Sequence, residues 1–184
     1  MRTERGFDHV TLDELCDAVD VSKRTFFRNF AGKEDVAMAP LQDMWRTFLD
    51  ELEHRPAGDT VLRALQGALL SAVDRTATGD WPRRAAFSYR LSQRTPSMAA
   101  HNFQFCDQTS RAAVAALHRQ LDLADDPRPR LAVDILVSAF HCAMDSWTVS
   151  PDPLDAADLS AELRRAFAAV PGALTLTADV RQAI

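Results

Sequence analysis

Between Val21 and Lys33 lie four cations and no acid: Lys23, Arg24, Arg28 and Lys33. Guanidinium and ammonium groups in so short a strip suit the phosphates and base edges of a nucleic acid. The strip also holds both of the chain's lysines, whereas nineteen arginines are spread over its 184 residues. A net charge of −5 argues against a polyanionic partner for the molecule as a whole. Charge elsewhere is screened beyond a Debye length of about 8–10 Å, so a local strip remains a usable electrostatic footprint. The bland alternative is a solvated helix face, and the flanking residues separate the two readings.

Ser22 is a good N-cap for a helix from Lys23 to about Phe30, whose inward residues are Phe26 and Phe30 at i, i+4. Upstream, Thr11-Leu12-Asp13-Glu14 has the form of a capping box. Leu12, Leu15, Cys16 and Val19 then give one apolar face to a helix over about 11–18, with Asp20 at the turn. Two short helices joined by a tight turn, the second carrying the cations, make a helix-turn-helix pattern.

Beyond Gly32 the periodicity predicts longer helices. One runs over 33–53 with Val36, Leu41, Met44, Trp45, Phe48 and Leu52 inward and Pro40 as a kink. Asp59 or Thr60 caps the next, Asp80-Trp81-Pro82 opens one to Gln93, and Thr95-Pro96 opens one to Leu121. Asp126-Pro127 or Pro129 starts a helix to Trp147, and Asp152-Pro153 starts a last one that Pro171-Gly172 stops near Val170. No segment reads as a strand, so the fold class is all-α. The division is a head over 1–36, a body over 37–172 and a frayed tail over 173–184.

Composition narrows the function classes. Hydrophobic content of 47% with 26% charged residues is that of a globular chain. No apolar run approaches the ~18 residues of a membrane span and no signal-peptide core follows Met1, which gives a cytoplasmic expectation. Cys16, Cys106 and Cys142 are far apart on helical segments, as expected of reduced, buried thiols, and no paired spacing suggests a metal. No nucleophile–base constellation, phosphate loop or carboxylate pair stands out. An enzyme is not expected, nor is a cofactor.

The stretch Gly6-Phe7 … Thr11 … Val21-Ser22-Lys23-Arg24-Thr25-Phe26-Phe27-Arg28-Asn29-Phe30 … Lys33-Glu34 closely resembles the DNA-binding head of TetR-family regulators. The match covers roughly residues 5–36, with many positions at fixed spacing and no gap. The resemblance implies that Ser22 caps a recognition helix whose Lys23, Arg24, Thr25, Phe27, Arg28 and Asn29 face DNA. It implies that Phe26 and Phe30 anchor that helix, and that Thr11 and Lys33 touch phosphate. Arg24 or Arg28 can meet guanine O6 and N7 bidentately, whereas Thr11, Thr25, Asn29 and Lys33 suit phosphate oxygens. The chain departs from the family pattern in three places. Family heads carry a helix of about a dozen residues before the Gly-Phe, so a true start upstream of Met1 is expected. Asp20 replaces the turn glycine, and Phe27 replaces a tyrosine whose hydroxyl would bond phosphate.

The implied function is a ligand-responsive repressor that binds a palindromic double-stranded operator as a homodimer and releases it when an effector fills the body. The alternative is a helical dimer that binds a small molecule or a protein and has lost DNA binding. The segment Leu131–Met144 is apolar almost all round, and small residues Ser138, Ala139, Cys142 and Ala143 admit a close neighbour. With Leu159, Leu163 and Phe167 of the last helix they are the expected dimer seam. Effector candidates among the middle helices are Trp81, Phe87, Tyr89, Met98, His101, Phe103 and Phe105, joined by His141 and Met144 from the buried helix. For each of these the plain alternative is a core residue, and for the histidines a hydrogen-bonded structural role.

Overall fold

The computed structural model describes residues 6–55, 60–123, 125–150 and 154–177. A 3₁₀ turn at Phe7–His9 precedes α1 (Leu12–Ala18) and α2 (Lys23–Asn29). The long helices are α3 (Lys33–Glu53), α4 (Val61–Thr76), α5 (Trp81–Arg94), α6 (Pro96–Leu121), α7 (Arg128–Thr148) and α8 (Ala156–Leu174). No strand occurs among the described residues.

The head is set by its caps. Thr11 accepts from Glu14 N at 3.2 Å while Glu14 Oε2 accepts from Thr11 N at 2.9 Å, so the capping box forms. Asp20 turns the chain with φ 51°, a left-handed conformation that a short polar side chain tolerates. Val21 N then donates to Cys16 O at 3.0 Å, tying the turn to the end of α1. Cys16 and Phe26 are the buried residues of the pair.

In the body, α3 lays Met38, Leu41, Trp45, Phe48 and Leu52 along one face and packs on α4, α5 and α6, while α7 packs chiefly on α8. Each such fully buried large side chain contributes about 1.5–3 kcal/mol relative to exposure. Pro40 lies inside α3, and α5 bonds to α3 at Pro40 itself and about one turn before it. Trp81 Nε1 donates to Pro40 O at 3.0 Å and Ser88 Oγ donates to Ala37 O. A third joint comes from α6, where Gln42 Nε2 lies 3.0 Å from His101 Nε2. Arg46 donates to Gln42 Oε1 at 3.2 Å, which orients that amide. The Gln42 amide thus turns its NH₂ toward the His101 ring.

Several expectations need correction. The last helix does not stop at Pro171-Gly172 but continues to Leu174, because a proline in an exposed final turn removes a single bond. Its N-cap is Asp155, which accepts from Ala157 N at 2.6 Å, and Asp152-Pro153 lie outside the described residues. Thr95 occupies a cap position without a side-chain bond. Of the three free thiols only Cys16 is buried, Cys106 is half-buried and Cys142 faces outward. Ala143, Leu159 and Leu163, expected in a dimer seam, are at most 1% exposed. The contact of α7 with α8 within one chain has already consumed that face.

Candidate nucleic-acid interface and internal cavity

The recognition helix α2 is short, and its start is fixed by Ser22 Oγ accepting from Thr25 N at 3.1 Å. Phe26 is 7% exposed and stacks on Phe30 with ring centroids 5.7 Å apart, which turns the remaining residues outward. Lys23, Arg24, Thr25, Phe27, Arg28 and Asn29 are all exposed. Arg24 and Arg28, four residues apart, share one face, and no described residue pairs with either guanidinium. Lys23 lies 2.5 Å from Asp13 Oδ1, an exposed pair of the kind that exchanges readily for another anion. Asn29 Nδ2 donates to Thr25 O at 3.0 Å, and Phe27 packs edge-on against Phe26 while remaining 56% exposed. Thr11 is exposed at the N-terminus of α1.

Lys33 is placed differently from the expectation. Its ammonium donates to Phe7 O at 2.9 Å, Val10 O at 2.8 Å and Asp8 O at 3.2 Å. It also lies 4.9 Å from the centre of the Phe7 ring. All three of its protons have carbonyl partners, so a phosphate would have to displace them. In this geometry Lys33 holds the segment before α1 against α3. Ser97 at the start of α6 adds a bond to Asp8, so the body touches the same segment.

In the body, α3, α5, α6 and α7 border a narrow cavity of about 20 Å³, room for little more than a water molecule. Leu41, Trp45 and Phe48 line it from α3, and Val133, Leu136 and Phe140 from α7. Helix α6 contributes Asn102, Phe105, Cys106, Thr109, Ser110 and Ala113. Tyr89 closes one end, and its hydroxyl donates to Asp145 Oδ1 at 2.7 Å. Burial and that carboxylate push the Tyr89 phenol far above its usual range. Burial likewise pushes the Cys106 thiol up and the His141 imidazole down, the latter only partly offset by Asp145.

Of the effector candidates named from sequence, Tyr89, Phe105 and His141 line this space. Trp81, Met98 and Met144 are core side chains outside its lining, at most 3% exposed. His101 belongs to the α3–α6 joint, 3.7 Å from Asp35. Phe87 and Phe103 are 61% and 76% exposed, because the apolar faces of α5 and α6 turn away from them. The sequence reading missed Asn102, Cys106 and Thr109. Their spacing of four and three residues along an otherwise inward helix face was the available signal.

Residues 3–39 match the family model of bacterial regulatory proteins of the tetR family, and residues 59–175 match the MftR C-terminal domain. The HTH-type transcriptional regulator TcmR of Streptomyces glaucescens is 34% identical over 155 residues, spanning 80% of this chain and 68% of that protein. The chain belongs to the TetR family. It is accordingly a transcriptional regulator with a helix-turn-helix head and a helical body, and TetR-family regulators bind DNA and typically dimerise. Among the described residues no helix is long and apolar enough to cross a membrane.

A second apolar surface lies on the outside of this TetR-family body, in a groove between α7 and α8. Leu131, Ile135, Ser138, Ala139 and Cys142 form its α7 side, and Ala166, Ala169, Val170, Ala173 and Leu174 its α8 side. Leu131 and Leu174 are 58% and 74% exposed. Ser138, Ala139 and Cys142 from the expected seam are on this groove. Phe167, 6% exposed, is on its inner side with Ala143, Leu159 and Leu163.

Proposed function

We propose that the chain is a ligand-responsive repressor that binds a palindromic operator as a homodimer through Arg24 and Arg28 and is released when an effector enters the α3–α5–α6–α7 cavity. The observation that carries this reading is the pair of unpartnered guanidiniums on one exposed face of a capped, phenylalanine-anchored helix. That face presents donors to a major groove at no cost in broken protein contacts. The α7–α8 groove supplies an apolar, small-residue surface suited to an isologous contact. A two-fold dimer matches half-sites about 10 bp apart. The cavity and the head share one helix, because α3 lines the cavity at Leu41, Trp45 and Phe48 and carries Lys33 at its start.

Selection of bound duplexes from a random DNA pool, followed by quantitative gel shifts, tests the reading. The purified chain is expected to enrich an inverted repeat. Arg24→Ala or Arg28→Ala is expected to relax base preference within a half-site at a cost of about 1–3 kcal/mol. Absence of any enriched repeat would favour the alternative, a helical binding module without an operator.

A further inference from the structure

One nitrogen of His101 faces two groups with opposite demands. Gln42 Nε2 lies 3.0 Å from His101 Nε2, and Asp35 Oδ1 lies 3.7 Å from the same atom. Gln42 is 3% exposed, and Arg46 donates to its carbonyl oxygen at 3.2 Å, so its NH₂ is the group that meets the ring. A ring nitrogen either carries a proton and donates or lacks one and accepts. Nε2 can therefore serve Gln42 or Asp35, but never both. A neutral ring with its proton on Nδ1 answers Gln42. A protonated ring carries an N–H at Nε2, which opposes the amide NH₂ and suits the carboxylate.

Asp35 is already engaged on its other side. Its Oδ2 accepts from Ala31 N at 3.2 Å. Ala31 directly follows Phe30, which ends the recognition helix α2 by donating its N–H to Phe26 O. One carboxylate thus stands between the exit of α2 and a histidine of the body helix α6. A closure of about 1 Å would bring Oδ1 to the distance of a charge-assisted hydrogen bond.

The neighbouring charges are committed elsewhere. On α3, Arg46 donates to Asp43 at 2.7 Å, and Lys33 is held by the Phe7, Asp8 and Val10 carbonyls. On the segment before α1, Asp8 accepts from Ser97, one turn ahead of His101. From α5 and α7, which also pack on α6, no described ionisable side chain bonds or pairs with the ring. The His101 and Asp35 side chains are 29% and 23% exposed. Protons reach them from solvent, while a partly buried pair is screened much less than a surface one.

We infer that His101 is a proton-operated clamp, which on protonation leaves Gln42 for Asp35 and ties the exit of the recognition helix to the body. The clamp needs no effector and no occupant of the internal cavity. Acidification through the range where imidazoles ordinarily titrate, about pH 6–7, stiffens the joint between head and body.

Proton–nitrogen correlation spectra and amide exchange of the full chain between pH 8 and pH 5.5 test the clamp. The Ala31 amide is expected to shift with the same midpoint as the His101 ring. Its protection against exchange is expected to rise roughly threefold below that midpoint, as a modest ion pair provides. His101→Gln and Asp35→Asn are each expected to abolish this response of Ala31, so either serves if the other fails to fold. His9→Gln, which removes the histidine nearest the head in sequence, is expected to leave it intact. The affinity for a duplex enriched from the random pool is expected to change roughly threefold more over this range in the parent than in His101→Gln. An Ala31 amide that ignores the His101 midpoint, a response that survives His101→Gln, or equal affinity changes in parent and variant would each overturn the clamp. The amide titration uses no DNA, so failure of the operator reading does not hide its result.

Discussion

Trp81 Nε1 bonds the carbonyl of Pro40 across 3.0 Å, joining the first residue of α5 to the proline inside α3. The same α5 helix places Tyr89 on the cavity and bonds Ala37 through Ser88, which lies between Trp81 and Tyr89. A displacement of Tyr89 by a ligand would therefore act on α3 through two hydrogen bonds, one at its proline and one at Ala37. Trp81→Phe keeps the ring and removes the donor. It is expected to cost about 1–3 kcal/mol of stability, read from denaturant midpoints, since a buried carbonyl loses its partner. If the joint transmits the signal, the ratio of operator affinities with and without effector should also change, by about 1–3 kcal/mol of coupling. An unchanged ratio would confine the bond to a structural role.

Lys33 gives a second prediction, opposite in kind to the one its sequence position implies. With its ammonium bonded to Phe7, Asp8 and Val10 carbonyls, Lys33→Ala is expected to loosen the segment before α1. Hydrogen exchange should increase at residues 6–10, and stability should fall by about 1.5–3 kcal/mol, the usual worth of a hydrogen bond to a charged group. The salt dependence of DNA binding should keep its slope. A slope reduced by about one contact would mean that the ammonium leaves the carbonyls for a phosphate.

The dimer face can be separated from the intrachain core by choice of residue. Ser138→Arg and Cys142→Arg alter exposed positions on the α7–α8 groove and are expected to give folded monomers in sedimentation. Leu163→Glu places a charge at a 0% exposed core position and is expected to lose helical signal as well, because an unpaired buried charge is strongly destabilising. Dimers that persist in both arginine variants would put the seam on another surface.

His141 predicts an acid limb in the stability profile. Burial lowers its folded pKa below the ordinary value of 6.5. Above that value both folded and unfolded chains carry a neutral ring and the group is silent. As pH falls below it, the unfolded chain takes up a proton that the folded chain refuses, so stability drops until the folded ring titrates too. Thermal midpoints measured downward from neutral pH should therefore decline less steeply in His141→Phe than in the parent chain. Identical slopes would assign the decline to other groups.

Local signals made much of this molecule legible. The Thr11–Glu14 box, the Ser22 cap, the left-handed Asp20 and the Phe26–Phe30 spacing are decided within a few residues of one another. Short-range hydrogen bonds and helical periodicity therefore dictate the head, its outward side chains and the run of long helices after it. Tertiary structure decided what each long helix faces. Apolar periodicity marks an inward stripe but does not name the partner. Leu159 and Leu163 could equally have served a second copy, and packing on α7 within the chain took them instead. Phe87 and Phe103 carry the same apolar chemistry as Phe105, yet only the packing of neighbouring helices determines which ring lines a cavity. Lys33 makes the point most directly. Its position beside α2 fixes that it is a cation at the end of the basic strip, but three carbonyls that converge only in the folded chain decide where its protons go.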